Sequence, residues 1–260
     1  MEALVVKIFG FIFGTCLGSF LNVVIHRLPL KEDLVFERSH CPECKHVIPW
    51  YFNIPILSYL LLRGKCQWCA ARISPRYLLI EIVAGLMGWW LAPIRYELPL
   101  MAIFFLNLTI LLVFVAIIAI DLKHHLIPNS LNIYLGVVFL SIAIMQYSWK
   151  HWLLGGLIGF GVPFLVTLLF YKIKGQVGLG GGDIKLFGVL GIILGPIGVV
   201  ENIFFSCFAG SLIGAFLLIT KRMDRKTPIP FGPFIVLVAA VQIYLPDSFK
   251  LLKGLLIPYA

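Results

Sequence analysis

The hydrophobic residues of this 260-residue chain fall into long runs, not into the alternation of a half-buried strand or the three-to-four spacing of a surface helix. Runs of spanning length, about 20 residues for a helix crossing hydrocarbon, lie near 3–25, 77–94, 98–120, 131–147, 151–171, 184–200, 202–220 and 231–246. The pattern predicts an all-α, polytopic integral membrane protein with about eight transmembrane helices. One long stretch, 26–76, reads as a polar loop. The first run is like a secretory signal peptide, but it exceeds a normal h-region and lacks a small-residue cleavage site, so it is expected to stay as a permanent helix. No low-complexity tract or internal repeat is visible.

Composition agrees: 60% of residues are hydrophobic and 13% charged, whereas apolar residues make up about half of a water-soluble domain. The net charge of +9 is compatible with nucleic acid, yet in a membrane protein Lys and Arg first mark cytoplasmic loops. With the amino terminus outside, the inner segments are 26–76, 121–130, 172–183 with Lys185, and 221–230. They hold sixteen of the 21 Lys and Arg, leaving Lys7, Arg95, Lys150, Lys250 and Lys253 outside. That imbalance sets the orientation. Membrane lipid is the expected surrounding, and no nucleic-acid partner is expected.

The inner loop carries Cys41-Pro-Glu-Cys44 and Cys66-Gln-Trp-Cys69, two Cys-x-x-Cys knuckles with 21 residues between them. Each tight turn offers two sulfurs, and a loop this short has little core of its own, so Cys41, Cys44, Cys66 and Cys69 predict a structural, tetrahedral zinc site. Disulfides are the alternative, disfavoured for a loop in the reducing cytoplasm. His40 and His46 sit close by and read as surface histidines beside a complete four-thiolate set. Cys16 and Cys207 lie in apolar runs and read as small packing residues.

Two aspartates stand at the lip of apolar runs on the same expected face. Asp121, in Ala-Ile-Asp121-Leu-Lys, closes the third run; Asp183, in Gly178-Leu-Gly180-Gly-Gly182-Asp183-Ile-Lys185, opens the sixth. Taken alone, Asp121 reads as a solvated helix end beside Lys123, His124 and His125, and Asp183 as an N-cap. The glycines before Asp183 argue for more, because they let another chain approach the backbone closely. A nucleotide loop is a weak match without a preceding strand or a following Gly-Lys-Ser/Thr. If the two helices are neighbours, one carboxylate can deprotonate water while the other donates a proton, the division of roles in aspartic proteases.

In order along the chain, these motifs resemble those of the bacterial type IV prepilin peptidases, leader peptidase/N-methyltransferases of the GxGD aspartic protease group. The match includes Gly18-Ser-Phe-Leu-Asn22-Val-Val-Ile-His-Arg27-Leu-Pro29, the paired knuckles, Asn53-Ile-Pro-Ile-Leu-Ser-Tyr-Leu60, Ile73-Ser-Pro-Arg-Tyr77 with Glu81, both aspartate motifs, and Ile229-Pro-Phe-Gly-Pro-Phe234. The resemblance implies that Asp121 and Asp183 are the catalytic pair. They would cut the short basic leader of type IV prepilins or pseudopilins at the cytoplasmic face of the bacterial inner membrane. It implies N-methylation of the new amino terminus with S-adenosylmethionine as donor. Gly180 and Gly182 then serve as backbone clearance, Lys185 as an electrostatic partner of the acids or a snorkelling interface lysine, and Glu81 as an acid for the substrate amine. The chain divides, on this reading, into 1–96 (first helix, zinc loop and second helix, methyltransferase-like) and 97–260 (a six-helix peptidase part). Phe52 stands where relatives usually carry an acidic residue. No Rossmann-type pattern for the donor is present.

The rival from another class is an ion-coupled transporter using the two acids as proton or cation sites. Against it, the acids lie at one face and no repeat halves are seen. A zinc protease is disfavoured because there is no His-Glu-x-x-His helix and four cysteines leave no open metal position.

Overall fold

Each apolar run carries a helix. In the computed structural model, which describes residues 2–34, 36–93, 97–176, 178–220 and 229–256, the helices are α1 (Glu2–Arg27), α2 (Leu57–Leu61), α3 (Pro75–Leu91), α4 (Leu98–His124), α5 (Asn129–Gln146), α6 (Trp149–Lys174), α7 (Gly181–Ile219), α8 (Gly232–Tyr244) and α9 (Pro246–Leu256). There is no strand among the described residues beyond two isolated bridges, His40 with Val47 and Lys65 with Arg72. Arg95, Lys221, Arg222, Arg225, Lys226 and the boundary expected at 96/97 fall outside the described residues.

The expected spans meet helices everywhere, but not eight helices of spanning length. Five of the described helices, α1 and α4 to α7, are long and apolar enough to cross a membrane, and the bent pair α8–α9 adds a sixth if it is one broken span. α3 has 17 residues and α8 has 13, short of the roughly 20 that a crossing needs. The runs 184–200 and 202–220 are not separated at 201: α7 is helical through Glu201, whose carboxylate pairs with Lys253 Nζ at 2.9 Å. The break falls instead at Gly195 (φ 71°, ψ −178°), ahead of Pro196. Proline drives its predecessor out of the α region, and this particular conformation is open essentially only to glycine.

The chain forms two compact units, Met1–Ala116 and Ile117–Ala260, whose boundary lies within α4. In the first, α1 and α3 cross with their backbones in close approach; a side chain at Gly14 would strike the Ala84 carbonyl, and one at Gly88 the Gly10 carbonyl. Small residues at such a crossing are the common device of membrane helices. Asn22 ties the pair together at one end, its amide donating to the Tyr77 carbonyl (3.1 Å). Ser74 caps α3, accepting from the Arg76 N–H (3.4 Å), with Pro75 at the first helical position.

In the second unit α6 lies along α7, where a side chain at Gly155 would strike the Gly191 carbonyl. α8 is held to α7 by a buried amide network. Asn202, fully buried, donates to the Ile235 carbonyl (3.3 Å) and to Gln242 Oε1 (2.9 Å), and Gln242 donates to the Gly198 carbonyl (2.9 Å). Buried amides cost free energy unless paired, so this network holds α8 in place along α7.

Candidate functional site

Asp121 and Asp183 both belong to the second unit. Asp121 sits in the last turn of α4, where the helix's own partial negative charge disfavours a carboxylate. The compensation comes from 111 residues away: the Gly232 N–H, at the start of α8, donates to Asp121 Oδ2 at 2.9 Å in a buried position. The positive end of one helix thus answers the negative end of another. A Cβ at Gly232 would lie 2.9 Å from Asp121 Oδ2 and 3.2 Å from Ile127 Cδ1 and would push the carboxyl from its place. Nothing local in the sequence marks this contact, although Gly232-Pro233 stands at a helix start.

Asp183 does not hold the N-cap position, the plain alternative to a catalytic role. Gly180 is the N-cap and Asp183 the third helical residue, from which its carboxylate bends back to the Gly180 N–H, the reciprocal half of a capping box. A Cβ on Gly180 would stand 2.9 Å from Asp183 Oδ2, so the glycine leaves room for the acid to fold back. Gly182 presses on the α4–α5 connection, where a Cβ would meet Ile127 Cβ at 3.0 Å, and its carbonyl accepts from Asn132 (3.3 Å). Ile127 therefore touches the backbone beside both acids. The two carboxyls are near enough for Asp121 to act electrostatically on Asp183, and Asp183 Oδ1 is buried with no hydrogen-bond partner among the described residues. A buried carboxylate oxygen without a partner is a group held ready for one.

Lys185 lies elsewhere: its ammonium donates to Asn129 Oδ1 at 2.9 Å in an exposed position, and it forms no ion pair with either aspartate among the described residues. Asn129, Asn132 and Ile127 are thus site-shaping residues that sequence reasoning missed. His125 closes the turn after Asp121 with a positive φ of 51°, donating its N–H to the Asp121 carbonyl (2.9 Å).

The cysteines converge in the first unit. The four sulfurs lie within 4.8 Å of one another, with Cys41 to Cys69 at 3.8 Å and Cys44 to Cys66 at 4.0 Å. A tetrahedron of thiolates about 2.3 Å from a central ion has edges of about 3.8 Å, so the set fits a metal; disulfides need about 2.05 Å. The two knuckles are built alike. In each, the residue after the second cysteine takes positive φ (Lys45 59°, Ala70 56°) and returns its N–H to the first cysteine's carbonyl (2.9 and 3.0 Å). The first cysteine's N–H then bonds the next carbonyl, His46 for Cys41 and Ala71 for Cys66 (3.0 and 2.8 Å). Backbone N–H groups of Cys69 and Trp68 pointing at its sulfur lower the Cys66 thiol to about 7. Cys69, although the Ala71 N–H favours its thiolate, is pushed up to about 12 by desolvation and by the neighbouring sulfurs. Such crowding is what a cation relieves.

His46 takes no part in the sulfur set; its ring stacks on Trp68 at 3.9 Å, and Phe52 meets the same indole edge-on at 5.9 Å. The residue that stands where an acid was expected is thus packed against the cysteine loop. Glu81, buried in α3, accepts the Ile56 N–H at 2.8 Å. Ile56 has φ 63° and ψ −54°, with Leu57 N–H bonding the Pro55 carbonyl at 2.6 Å. This is a positive-φ γ-turn, strained and rare for a β-branched residue. Arg27, buried at the end of α1, gathers the carbonyls of Asp33, Glu37 and Arg38 (2.8, 2.9 and 3.2 Å) and so folds the following loop back under the helix.

Against known proteins, residues 12–94 match the bacterial peptidase A24 N-terminal domain and residues 106–219 the type IV leader peptidase family. Over 91% of its length the chain is 33% identical to a prepilin leader peptidase/N-methyltransferase of Stutzerimonas stutzeri, covering 90% of that protein. It is 36% identical to one of Bacillus subtilis (92% of this chain, 94% of that one) and 35% identical to one of Myxococcus xanthus (85% and 66%). No solved structure matches it significantly.

Proposed function

The chain belongs to the type IV leader peptidase family, and from that membership we propose that it is a prepilin leader peptidase and N-methyltransferase whose peptidase centre is the Asp121–Asp183 pair. The observation that carries this reading is the meeting of two carboxyls from separate helices, one answered by a helix N-terminus and the other with a buried oxygen lacking a partner. In hydrolysis one carboxylate takes a proton from water as its oxygen attacks the scissile carbonyl, and the other, protonated, gives its proton to that carbonyl oxygen. As the C–N bond breaks, the first acid's proton passes to the leaving amine and the second recovers its own. The acids titrate as a pair. A helical substrate hides its amides in its own hydrogen bonds, so the bond that is cut lies in an extended leader junction next to the apolar stem. The substrates are type IV prepilins or pseudopilins, cleaved at the cytoplasmic face of the inner membrane; the lysine and arginine asymmetry of the sequence supports that orientation.

Residues 1–96 serve methylation and 97–260 cleavage. Zinc is the metal read for Cys41, Cys44, Cys66 and Cys69: four sulfurs in a tetrahedral arrangement suit it, and the closed set makes it structural. S-adenosylmethionine supplies an electrophilic methyl group on a sulfonium. Glu81 is the acid for the substrate amine, with Oε2 engaged by Ile56 and Oε1 the oxygen assigned to the ammonium. Gly180 and Gly182 give the acids room, and Lys185 steadies the connection opposite them through Asn129. An ion-coupled carrier is not favoured, because the relatives are named as peptidases and methyltransferases. Mass spectrometry of a co-expressed prepilin tests the reading: a shortened subunit carrying one added methyl is expected, and an intact leader would overturn it.

A further inference from the structure

Beneath the end of α1 a cavity of about 730 Å³ is lined by Phe20 of that helix and, from the loop that follows, by Glu37, Arg38, Val47 and Trp50. Its volume lies within the range of about 300–1,000 Å³ typical of small-molecule sites. We infer that this cavity is the methyl-donor site, taking the nucleoside and amino-acid ends of S-adenosylmethionine; the inference rests on the methyltransferase reading above and adds the residues.

The lining holds the groups that such a donor requires. Trp50 and Phe20 are large aromatic rings left 78% and 51% exposed, suited to stack on a purine, which binds aromatic faces without needing a specific hydrogen-bond pattern. Glu37 offers a carboxylate to the ribose hydroxyls or the ammonium. It is held from both sides, with Oε2 3.9 Å from the buried Arg27 guanidinium and Oε1 3.8 Å from His40 Nδ1. The neighbouring Arg38 offers a guanidinium to the donor's carboxylate. A cation beside an anion, next to exposed aromatic rings, matches a zwitterion joined to a nucleoside better than it matches an acyl chain or a simple anion.

The cavity is also built into the two features of this unit that otherwise have no link to methylation. Its far wall is the first cysteine knuckle: the Ile48 N–H bonds the Ser39 carbonyl (2.8 Å) and His40 bridges Val47, so the sulfur set fixes the spacing of Ser39, Val47, Ile48 and Pro49. Its other wall, the short turn Trp50–Asn53, runs on to Ile56, the residue whose N–H Glu81 accepts. One loop thus carries the donor wall and the contact of the acid read for the amine.

The test uses the full chain in detergent or nanodiscs, with S-adenosylmethionine and its demethylated product, S-adenosylhomocysteine, as probes in calorimetric titration, and with methylation of a co-expressed prepilin scored separately. Trp50→Ala and the cavity-filling Val47→Trp should each raise the dissociation constant about tenfold or more, with metal content and melting retained. Ultraviolet cross-linking of labelled donor should mark the 47–53 peptide. If the wild-type chain methylates and binds donor but both variants bind it as tightly, with the label elsewhere, the cavity is wrong and the methyltransferase reading stands. If the wild-type chain neither binds donor nor methylates, both fall. If the variants weaken prepilin binding alone, the cavity is a peptide site and the inference is overturned.

Discussion

The two candidate sites of this chain are made in opposite ways. The cysteine loop of the first unit is irregular backbone: of the six described non-glycine residues with positive φ, five, Lys31, Lys45, Ile56, Arg63 and Ala70, lie between positions 31 and 70. Such backbone carries a local cost of about 1–2 kcal/mol at each left-handed residue, and here it is held by four sulfurs, by the Arg27 guanidinium and by Glu81. The aspartate site of the second unit is assembled from the ends of long helices. Its acids sit where α4 ends and α7 begins, and α8 contributes a backbone N–H. A site made of loop needs an external staple, whereas one made of helix ends inherits its geometry from helix packing. The first should depend on metal and the second on glycine.

That contrast is broken most severely by the acids themselves. Asp121→Asn and Asp183→Asn should each reduce leader cleavage by about 10²–10⁴-fold or more, since an amide keeps the shape but cannot exchange protons, while metal content and donor binding in the first unit stay as they were. Cleavage assays alongside metal analysis read both. Next in size is removal of the staple. A structural thiolate site supplies about 10 kcal/mol or more, so Cys41→Ser or chelation should unfold the loop and abolish donor binding and methylation, with a smaller loss of cleavage. Metal loading should also weaken as pH falls, because each sulfur must release its proton to bind; the Cys66 thiol, lowered to about 7, releases its proton most readily. Gly232→Ala sharpens the other side. The added methyl would stand 2.9 Å from Asp121 Oδ2 and push the carboxyl aside; since a misplacement of about 1 Å at a reacting group costs about 100-fold in rate, this smaller shift should cost cleavage about tenfold, and methylation of an already cleaved subunit should be unaffected. The smallest effect is Ala70→Gly. Relief of a positive φ of 56°, offset by the entropy of glycine, should stabilise the loop by about 0.5–1 kcal/mol, seen as slower metal loss to a chelator.

What the sequence revealed follows the same division. The sulfur set was legible because its ligands come as local pairs, Cys41 with Cys44 and Cys66 with Cys69, and the acids were legible because each interrupts an apolar run. Contacts between distant positions left no such mark: nothing in Phe-Gly-Pro announces that the Gly232 N–H serves a carboxylate 111 residues earlier. The break in α7 was displaced because hydropathy dips at Glu201, a paired acid, while the conformational break follows Gly195-Pro196 inside an unbroken apolar stretch. Residue type alone offers Asp183 as an N-cap, because capping preference is a property of residue type, whereas Gly180 holds that place and the acid reaches back from the first turn. The γ-turn at Ile56 was invisible for the opposite reason, since a β-branched residue argues against the conformation it adopts.

The most direct measurement is a double-mutant cycle on leader cleavage under single-turnover conditions, with Asp121→Asn, Asp183→Asn and the combined variant assayed against one prepilin substrate. If the two acids share one hydrolytic step, each single variant falls to the same background as the double. A single variant that keeps substantial cleavage, with the second substitution removing the remainder independently, would contradict a shared step.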